Sequence, residues 1–181
     1  MPLSEGWRDQ YQRMLRSRDR LTEAAGPSSI GSDEARDRLY HFFQDAFHLR
    51  DWLYNSDDPA VSAKAAVLKG NNNHIKATPT LALCADVCNG IKHLKLTTTQ
   101  TGDQTTTVAS QSAKITPATV AATTRIPGPG QSTPPAPKAA AAVGEHAWLI
   151  TSNGQQHDAI GLADKVIAEW DKWLNDQQLV P

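Results

Sequence analysis

The sequence predicts a mainly α fold, a helical bundle of about four helices with a β-rich insertion before the last helix. Apolar residues recur at helical spacing in four separate segments. After Leu96 the composition changes abruptly to Thr, Gln, Ala and Val, and charged residues almost vanish until Lys114. We therefore assign residues 1–96 and 158–181 to the bundle and residues 97–152 to the insertion.

The first two predicted helices form the N-terminal part of the bundle. Residues 4–25 carry apolar side chains at spacings of three, four and seven, and Ser4 is available as the N-cap. The second helix should run from Ser32 to Tyr54, because two acidic residues in its first turn complement the helix dipole. Its apolar stripe is the strongest in the chain and consists of Leu39, Phe42, Phe43, Ala46, Leu49, Trp52 and Leu53.

The third main helix is predicted to be apolar and central. Residues 59–68 are compatible with a short helix before it, and the Gly- and Asn-rich run 70–73 is a break. Thr78 and Pro79 then favour a helix start, since Thr can cap and Pro at the first helical position loses no useful donor. The helix should end near His93 and turn these residues inward: Leu81, Cys84, Ala85, Cys88 and Ile91.

The insertion is predicted to contain strands around a loop. Residues 97–109 and 113–125 are rich in β-branched side chains, and Gly102-Asp103 favours a turn, so we expect strands or a hairpin. Residues 126–144 are rich in Pro and Ala, which is typical of a flexible or extended loop. Residues 146–152 alternate like a strand that a turn at Asn153-Gly154 closes. Asp158 can cap the last helix, whose apolar residues are Ile160, Ala163, Val166, Ile167, Trp170, Trp173 and Leu174.

Composition limits the classes of function. The formal net charge is -1, so no global basic field drives non-specific binding to nucleic acid. No window approaches the roughly 18 apolar residues that cross a bilayer, so we expect a cytoplasmic protein that does not enter membranes. Cys84 and Cys88 lie one helical turn apart, which suits buried, reduced thiols better than a disulfide or a nucleophile pair. The common phosphate-loop and hydrolase motifs are absent from the sequence.

The strongest candidate site is the segment from Asp86 to His93 at the end of the third helix. His93 titrates near neutral pH, Lys92 supplies a cation, and Asn89 both donates and accepts hydrogen bonds. Together these three candidate catalytic residues could hold a phosphate and move a proton. The alternative is a helix C-cap at Asn89-Gly90, with the basic pair favoured by the negative helix end.

The second helix carries candidate binding or positioning residues beside its apolar stripe. His41, Asp45 and His48 fall at i, i+4 and i+7 and could line a polar groove, with Arg50 and Asp51 following. A metal site built from the first three and a cysteine would lack the ligand spacing of zinc motifs, so we predict no metal and no cofactor. The alternative is a hydrogen-bonded rim, in which an aspartate orients a histidine or pairs with the arginine.

A helical bundle whose polar site combines an internal helix with a helix end carrying a histidine resembles the HEPN superfamily. Many of its members are ribonucleases or RNA-binding parts of toxin–antitoxin and phage-defence systems. Its catalytic signature is an arginine, about four to six residues, then a histidine, whereas this chain has Asn89-Gly-Ile-Lys-His93. Over residues 1–96 and 158–178, the resemblance implies an RNA-related, often dimeric domain. It implies His93 for acid–base chemistry, Lys92 and Arg50 on phosphate, and Asn89 and Asp45 as positioning residues.

Two hypotheses of function follow. In the first, the chain is a non-enzymatic bundle that binds a partner protein or itself through the exposed part of the second helix, the Trp-rich last helix and the Thr-rich insertion. In the second, it is a HEPN-like RNA-binding protein or a divergent, metal-independent endoribonuclease. We prefer the first, because the residues at 89–93 depart from the family signature.

Overall fold

The computed structural model describes residues 4–26, 30–71, 73–93, 98–115 and 143–181. It confirms a mainly helical fold with a small sheet before the final helix. The helices are α1 (Trp7–Ala25), α2 (Ser32–Tyr54), α3 (Pro59–Ala65), α4 (His74–Ala77), α5 (Pro79–Lys92) and α6 (Ala159–Asp176), and the strands are β1 (Thr107–Ile115), β2 (Val143–Ser152) and β3 (Gln155–Asp158). No helix in the described ranges is long and apolar enough to cross a membrane.

Helices α1 and α2 run antiparallel, because Arg38 bonds Glu23 near one end of the pair while Arg13 lies over the Trp52 ring near the other. The predicted stripe of α2 is buried, apart from Trp52, which is half-buried. Burial of each such large apolar side chain contributes about 1.5–3 kcal/mol, so this stripe is the main source of stability in the bundle.

The start of α1 differs from the prediction. The helix begins at Trp7, and Ser4 lies outside it, so Ser4 is not the N-cap. Gly6 takes that position, and its backbone N–H donates to Asp9 Oδ2 at 2.7 Å. A carboxylate on the first turn that reaches back in this way satisfies a free donor and complements the helix dipole, which fixes the helix start three residues later than the apolar spacing indicates.

Helix α6 closes the bundle against α1, α2 and α5. Its Trp170 and Trp173 are buried, so these rings belong to the core and are not available to a partner. Tyr11 of α1 donates a hydrogen bond of 2.7 Å to Asp171. Burial, and then this bond, raises the pKa of Tyr11 to about 12, so the hydroxyl stays protonated and ties α6 to α1.

The sheet is antiparallel with strand order β1-β2-β3. Asn153 and Gly154 have φ of 50° and 73°, values that the tight two-residue turn between β2 and β3 requires, and the predicted turn is confirmed there. Trp148, Ile150 and Ser152 are buried at alternate positions of β2, so this face of the sheet packs on the helices.

The strand predictions in the insertion need correction. One continuous strand at Thr107–Ile115 covers the end of the predicted strand at 97–109, the gap after it and the start of the predicted strand at 113–125. Gly102-Asp103 lies in the loop before that strand, and β2 begins inside the predicted loop at 126–144. Pairing with β2 fixes these limits, which local composition does not encode. Residues 116–142, the remainder of that loop and of the second predicted strand, lie outside the described part of the chain.

Candidate functional site

The candidate positioning residues of α2 do not form one site. Asp45 faces α1, where its carboxylate accepts a hydrogen bond from Ser17 Oγ and its backbone oxygen accepts one of 2.8 Å from Gln10 Nε2. Both donors are buried. His41 and His48 are exposed. Asp45 therefore holds α1 against α2. Local sequence patterns do not reveal this contact, because its partners are polar residues within the apolar pattern of α1.

Asp51, at the end of α2, forms ion pairs with Arg50 and with Lys69. The Asp51 carboxylate lies 3.1 Å from Arg50 Nη2 and 3.3 Å from Lys69 Nζ. The Arg50 guanidinium also stacks over the Phe47 ring, 4.2 Å from its centroid. Asp51 is thus paired with two cations, and Arg50 has a carboxylate as its counter-charge.

The candidate catalytic residues lie at the exposed end of α5. Lys92 and His93 are exposed and Asn89 is half-buried. The His93 N–H donates to the Asn89 carbonyl at 2.9 Å, which is the last backbone bond of the helix. Burial raises the pKa of Cys88 to about 11, while the positive charges of Lys92 and Arg50 oppose that rise. Lys92 and Arg50 are thus both near enough to Cys88 for their charges to act on its thiol, as is Asp51, and no described hydrogen bond joins His93 to Lys92 or Arg50.

Cys84 and Cys88 are free, buried thiols. Cys84 is fully enclosed and its S–H points at the Phe43 carbonyl, 3.7 Å away. Burial raises the pKa of this thiol well above its usual value. A protonated, enclosed thiol is a poor nucleophile, so this environment suits a core residue.

Asp86 is a fully buried carboxylate that holds the loop leading to the sheet. Its oxygens accept hydrogen bonds from the backbone N–H groups of Gln100 and Thr101, at 2.6 and 2.9 Å, and from Thr101 Oγ1 at 2.6 Å. In the sequence, one acidic residue within the apolar pattern of α5 indicates such an anchor, because a buried polar group needs hydrogen-bond partners. It fixes the position of this loop beside the N-terminal half of α5.

Asp103 fixes the other end of the same loop. Its carboxylate accepts from Thr105 Oγ1 at 2.6 Å, from the Thr105 N–H at 2.7 Å and from the Asn153 N–H at 2.6 Å, and Ser152 Oγ donates at 3.1 Å. These bonds lower the pKa of Asp103 to about 2, and the bond from the Thr105 side chain has the largest effect. The loop is thereby tied to the turn between β2 and β3.

The stability that Asp103 contributes should depend on pH. In the unfolded chain the carboxyl protonates near 3.8, and in the folded protein near 2, so protonation favours unfolding. The contribution is complete above pH 4 or so and is lost as the pH falls through the folded pKa. In urea titrations from pH 7 to pH 2, we expect Asp103→Asn to be less stable than wild type at neutral pH and equally stable at the acid end. A constant difference across the range would contradict this role for the carboxylate.

A groove of about 370 Å³ lies between the inner face of the sheet and helices α4, α5 and α6, and we call it the sheet–helix groove. Gln155 and His157 of β3 pair with Ser152 and Ile150 of β2, and the buried positions of this pair face the helices. Among the described residues, no carboxylate lines the groove. Its polar lining residues are Lys76, Thr80, Gln100, Thr101, Ser152, Asn153, Gln155, His157 and Lys165.

Two lysines, Lys76 and Lys165, line this groove. Both are exposed, and neither forms an ion pair with any residue that the structure describes. Sequence reasoning missed both lysines and His157, because they come from α4, α6 and β3 and share no local motif. An unneutralised pair of cations in a concave polar site can hold a negatively charged group.

A second depression, of about 560 Å³, lies at the N-terminus of α1 and is lined by Trp7 and Trp52. Its acidic groups are largely engaged: Glu5 pairs with Arg13, and Asp58 caps the Ala60 N–H. Since these carboxylates already hold helix ends and arginines, we place the candidate site in the sheet–helix groove.

Within the described residues, no three His, Cys, Asp or Glu side chains are arranged to hold a metal ion. Comparison with family models, with curated proteins and with solved structures found no significant match to this chain.

Proposed function

We propose that this chain is a binding module without catalytic activity, which holds a segment of a partner protein, or of a second copy of itself, in the sheet–helix groove. One observation carries the proposal. The groove is concave and is lined by both polar and apolar side chains, and its Lys76 and Lys165 are not neutralised by any described residue. By contrast, Asp45 and Asp51 of α2 are engaged in holding the fold.

The location of the groove supports a binding role. Its floor and walls come from three helices and the sheet, and the loop that carries Gln100 and Thr101 is fixed by Asp86. A site whose walls are held by buried hydrogen bonds is preorganised, so little conformational entropy is lost on binding. We also propose a cytoplasmic location, which is supported by the two cysteines being free thiols.

The groove can be tested at β3. Gln155 lines the groove, whereas Gln156 is exposed and, by strand alternation, lies on the opposite face of the sheet. A photo-crosslinking amino acid at position 155 should link the protein to one defined partner or to a second copy, and the same group at position 156 should not. With the crosslinking amino acid moved to position 100, which also lines the groove, Gln155→Trp should abolish the link and Gln156→Trp should leave it intact. Identical patterns at the two positions would contradict the proposal.

Self-association is the version of this proposal that purified protein tests directly. If a second copy occupies the groove, sedimentation equilibrium should find a dimer that Gln155→Trp converts to monomer, while Gln156→Trp remains dimeric. If the partner is another protein, both variants should remain monomeric, and only the crosslink should differ.

A HEPN-like RNA-binding protein or divergent endoribonuclease is the second candidate. It is favoured by one observation, that Lys92 and Arg50 are both near enough to Cys88 for their positive charges to act on its thiol. To test it, purified wild-type protein and the His93→Ala variant are incubated separately with mixed RNA. Cleavage or RNA retention that the variant loses would favour this second candidate, and the absence of both would exclude it.

A further inference from the structure

We infer that the partner segment held in the sheet–helix groove is an acidic, extended peptide whose carboxylates pair with Lys76 and Lys165. The inference rests on the proposed function and adds the chemistry of the ligand. It follows from three properties of the groove: its charge, the type of its cations and the strand that lines it.

The charge of the groove is unbalanced. Lys76 belongs to α4 and Lys165 to α6, so the two cations come from different walls, and no carboxylate is among the described residues that line the groove. Other exposed cations, such as Arg16 and Arg20, also have no described ion pair. Lys76 and Lys165 differ from these because they line one concave groove together, and a ligand with carboxylates would supply their counter-charge.

The N-terminus of α5 adds to the same field. Pro79 and Thr80 of its first turn line the groove, and the Thr78 side chain does not cap the helix. The first backbone N–H groups of α5 thus have no side-chain acceptor, and the positive end of the helix dipole lies beside the lysines. This contribution reinforces the two cations and would be too small to define a site without them.

The composition of the groove favours a peptide over RNA. Binding of single-stranded RNA relies on aromatic rings that stack on bases and on arginines that grip phosphates. The described lining contains lysines, amides, hydroxyls and the apolar side chains of Ala82, Leu83 and Leu162, with His157 as its single aromatic ring and with no arginine. Amide side chains such as Gln100, Asn153 and Gln155 both donate and accept hydrogen bonds, which suits a peptide backbone.

The strand that lines the groove explains why the peptide should be extended. β3 is an edge strand of the sheet, and within the described residues it pairs only with β2. An edge strand presents free backbone donors and acceptors, and an extended peptide is the partner that satisfies them. Acidic side chains at alternate positions of that peptide would then face the lysines.

The probe is an acidic peptide of about ten residues with alternating glutamate and serine, compared with its glutamine analogue. Titration into isotopically labelled protein at low salt should shift the amide signals of Gln155 and Thr80, and the glutamine analogue should bind at least several-fold more weakly. Raising the salt concentration should weaken binding of the acidic peptide more than binding of the glutamine analogue, because the attraction is between exposed charges.

Charge variants identify the residues responsible. The double variant Lys76→Gln/Lys165→Gln should bind the acidic peptide about tenfold more weakly, since each exposed ion pair contributes a few-fold. The matched control is Lys172→Gln, on the same helix as Lys165 but paired with Asp176 and outside the lining of the groove, and its affinity should stay within about twofold. Circular dichroism should show the same helix content for all variants.

Several outcomes would overturn the inference. These are absence of acidic-peptide binding, equal binding of the glutamine analogue, an unchanged affinity of the double variant, or RNA binding through these lysines in place of the peptide. The outcome is separable from that for the proposed function. If a crosslink from position 100 is lost in Gln155→Trp but kept in the double variant, the groove is a binding site and only its preference for acid is wrong.

Discussion

Replacing Trp170 with alanine is expected to lower the free energy of unfolding by about 3–5 kcal/mol. The side chain is 1% exposed and packs edge-on against Trp173, with ring centroids 6.1 Å apart. Alanine would leave a large cavity where α6 closes the bundle, and the surrounding helices can relax into it only in part. Urea unfolding followed by circular dichroism measures the loss.

A second substitution at this position isolates the contribution of packing. Trp170 Nε1 is buried and finds no hydrogen-bond acceptor among the described residues. Trp170→Phe keeps most of the ring and removes that unsatisfied donor, so it should cost much less than alanine. Lys172→Ala, an exposed change on the same helix, should cost less than about 0.5 kcal/mol. If Trp170→Ala lost no more stability than Lys172→Ala, the assignment of α6 to the core would be wrong.

Asp86→Ala is expected to lower the free energy of unfolding by about 2–3 kcal/mol, because hydrogen bonds to a charged group contribute more than neutral ones. The variant removes the acceptor for the N–H groups of Gln100 and Thr101. The two amides are on a half-buried loop, so water replaces part of the lost bonding, and the estimate is lower than the sum of three separate bonds.

Hydrogen exchange would show where the stability is lost. The amides of Gln100 and Thr101 should exchange faster in Asp86→Ala, and Asp86→Asn, which retains one acceptor oxygen, should lose about half as much stability. Exchange that stays as slow as in wild type would mean that other contacts hold the loop.

The elements that follow from local periodicity were predictable. The bounds of α2 at Ser32 and Tyr54 are confirmed, because its apolar side chains repeat at 3.6-residue spacing and the core selects that face. The strands were harder to predict from the sequence. In the described sheet β1 is an edge strand, and edge strands carry polar residues, such as the exposed Ser110, that weaken the sequence pattern of a strand. β3 is four residues long and rich in amides, so only its pairing with β2 identifies it.

The candidate site was harder to predict than the fold. The segment from Asp86 to His93 was a candidate site because polar residues interrupt an apolar helix there. Its residues have different roles, since Asp86 is buried and anchors a loop whereas His93 is exposed. The lysines of the sheet–helix groove come from elements far apart in sequence. Exposed lysines are common on any helix surface, and only the tertiary fold shows that two of them share a concave surface without carboxylates.

The interruption of the bundle between α5 and α6 has a consequence for synthesis of the protein on the ribosome. Residues 93–158 must be translated before α6 can pack on α1, α2 and α5. At rates of about 5–20 residues per second, the apolar faces that α6 covers remain open for several seconds. During that interval the nascent chain is a substrate for chaperones and is prone to aggregate, although each of its first helices can already form.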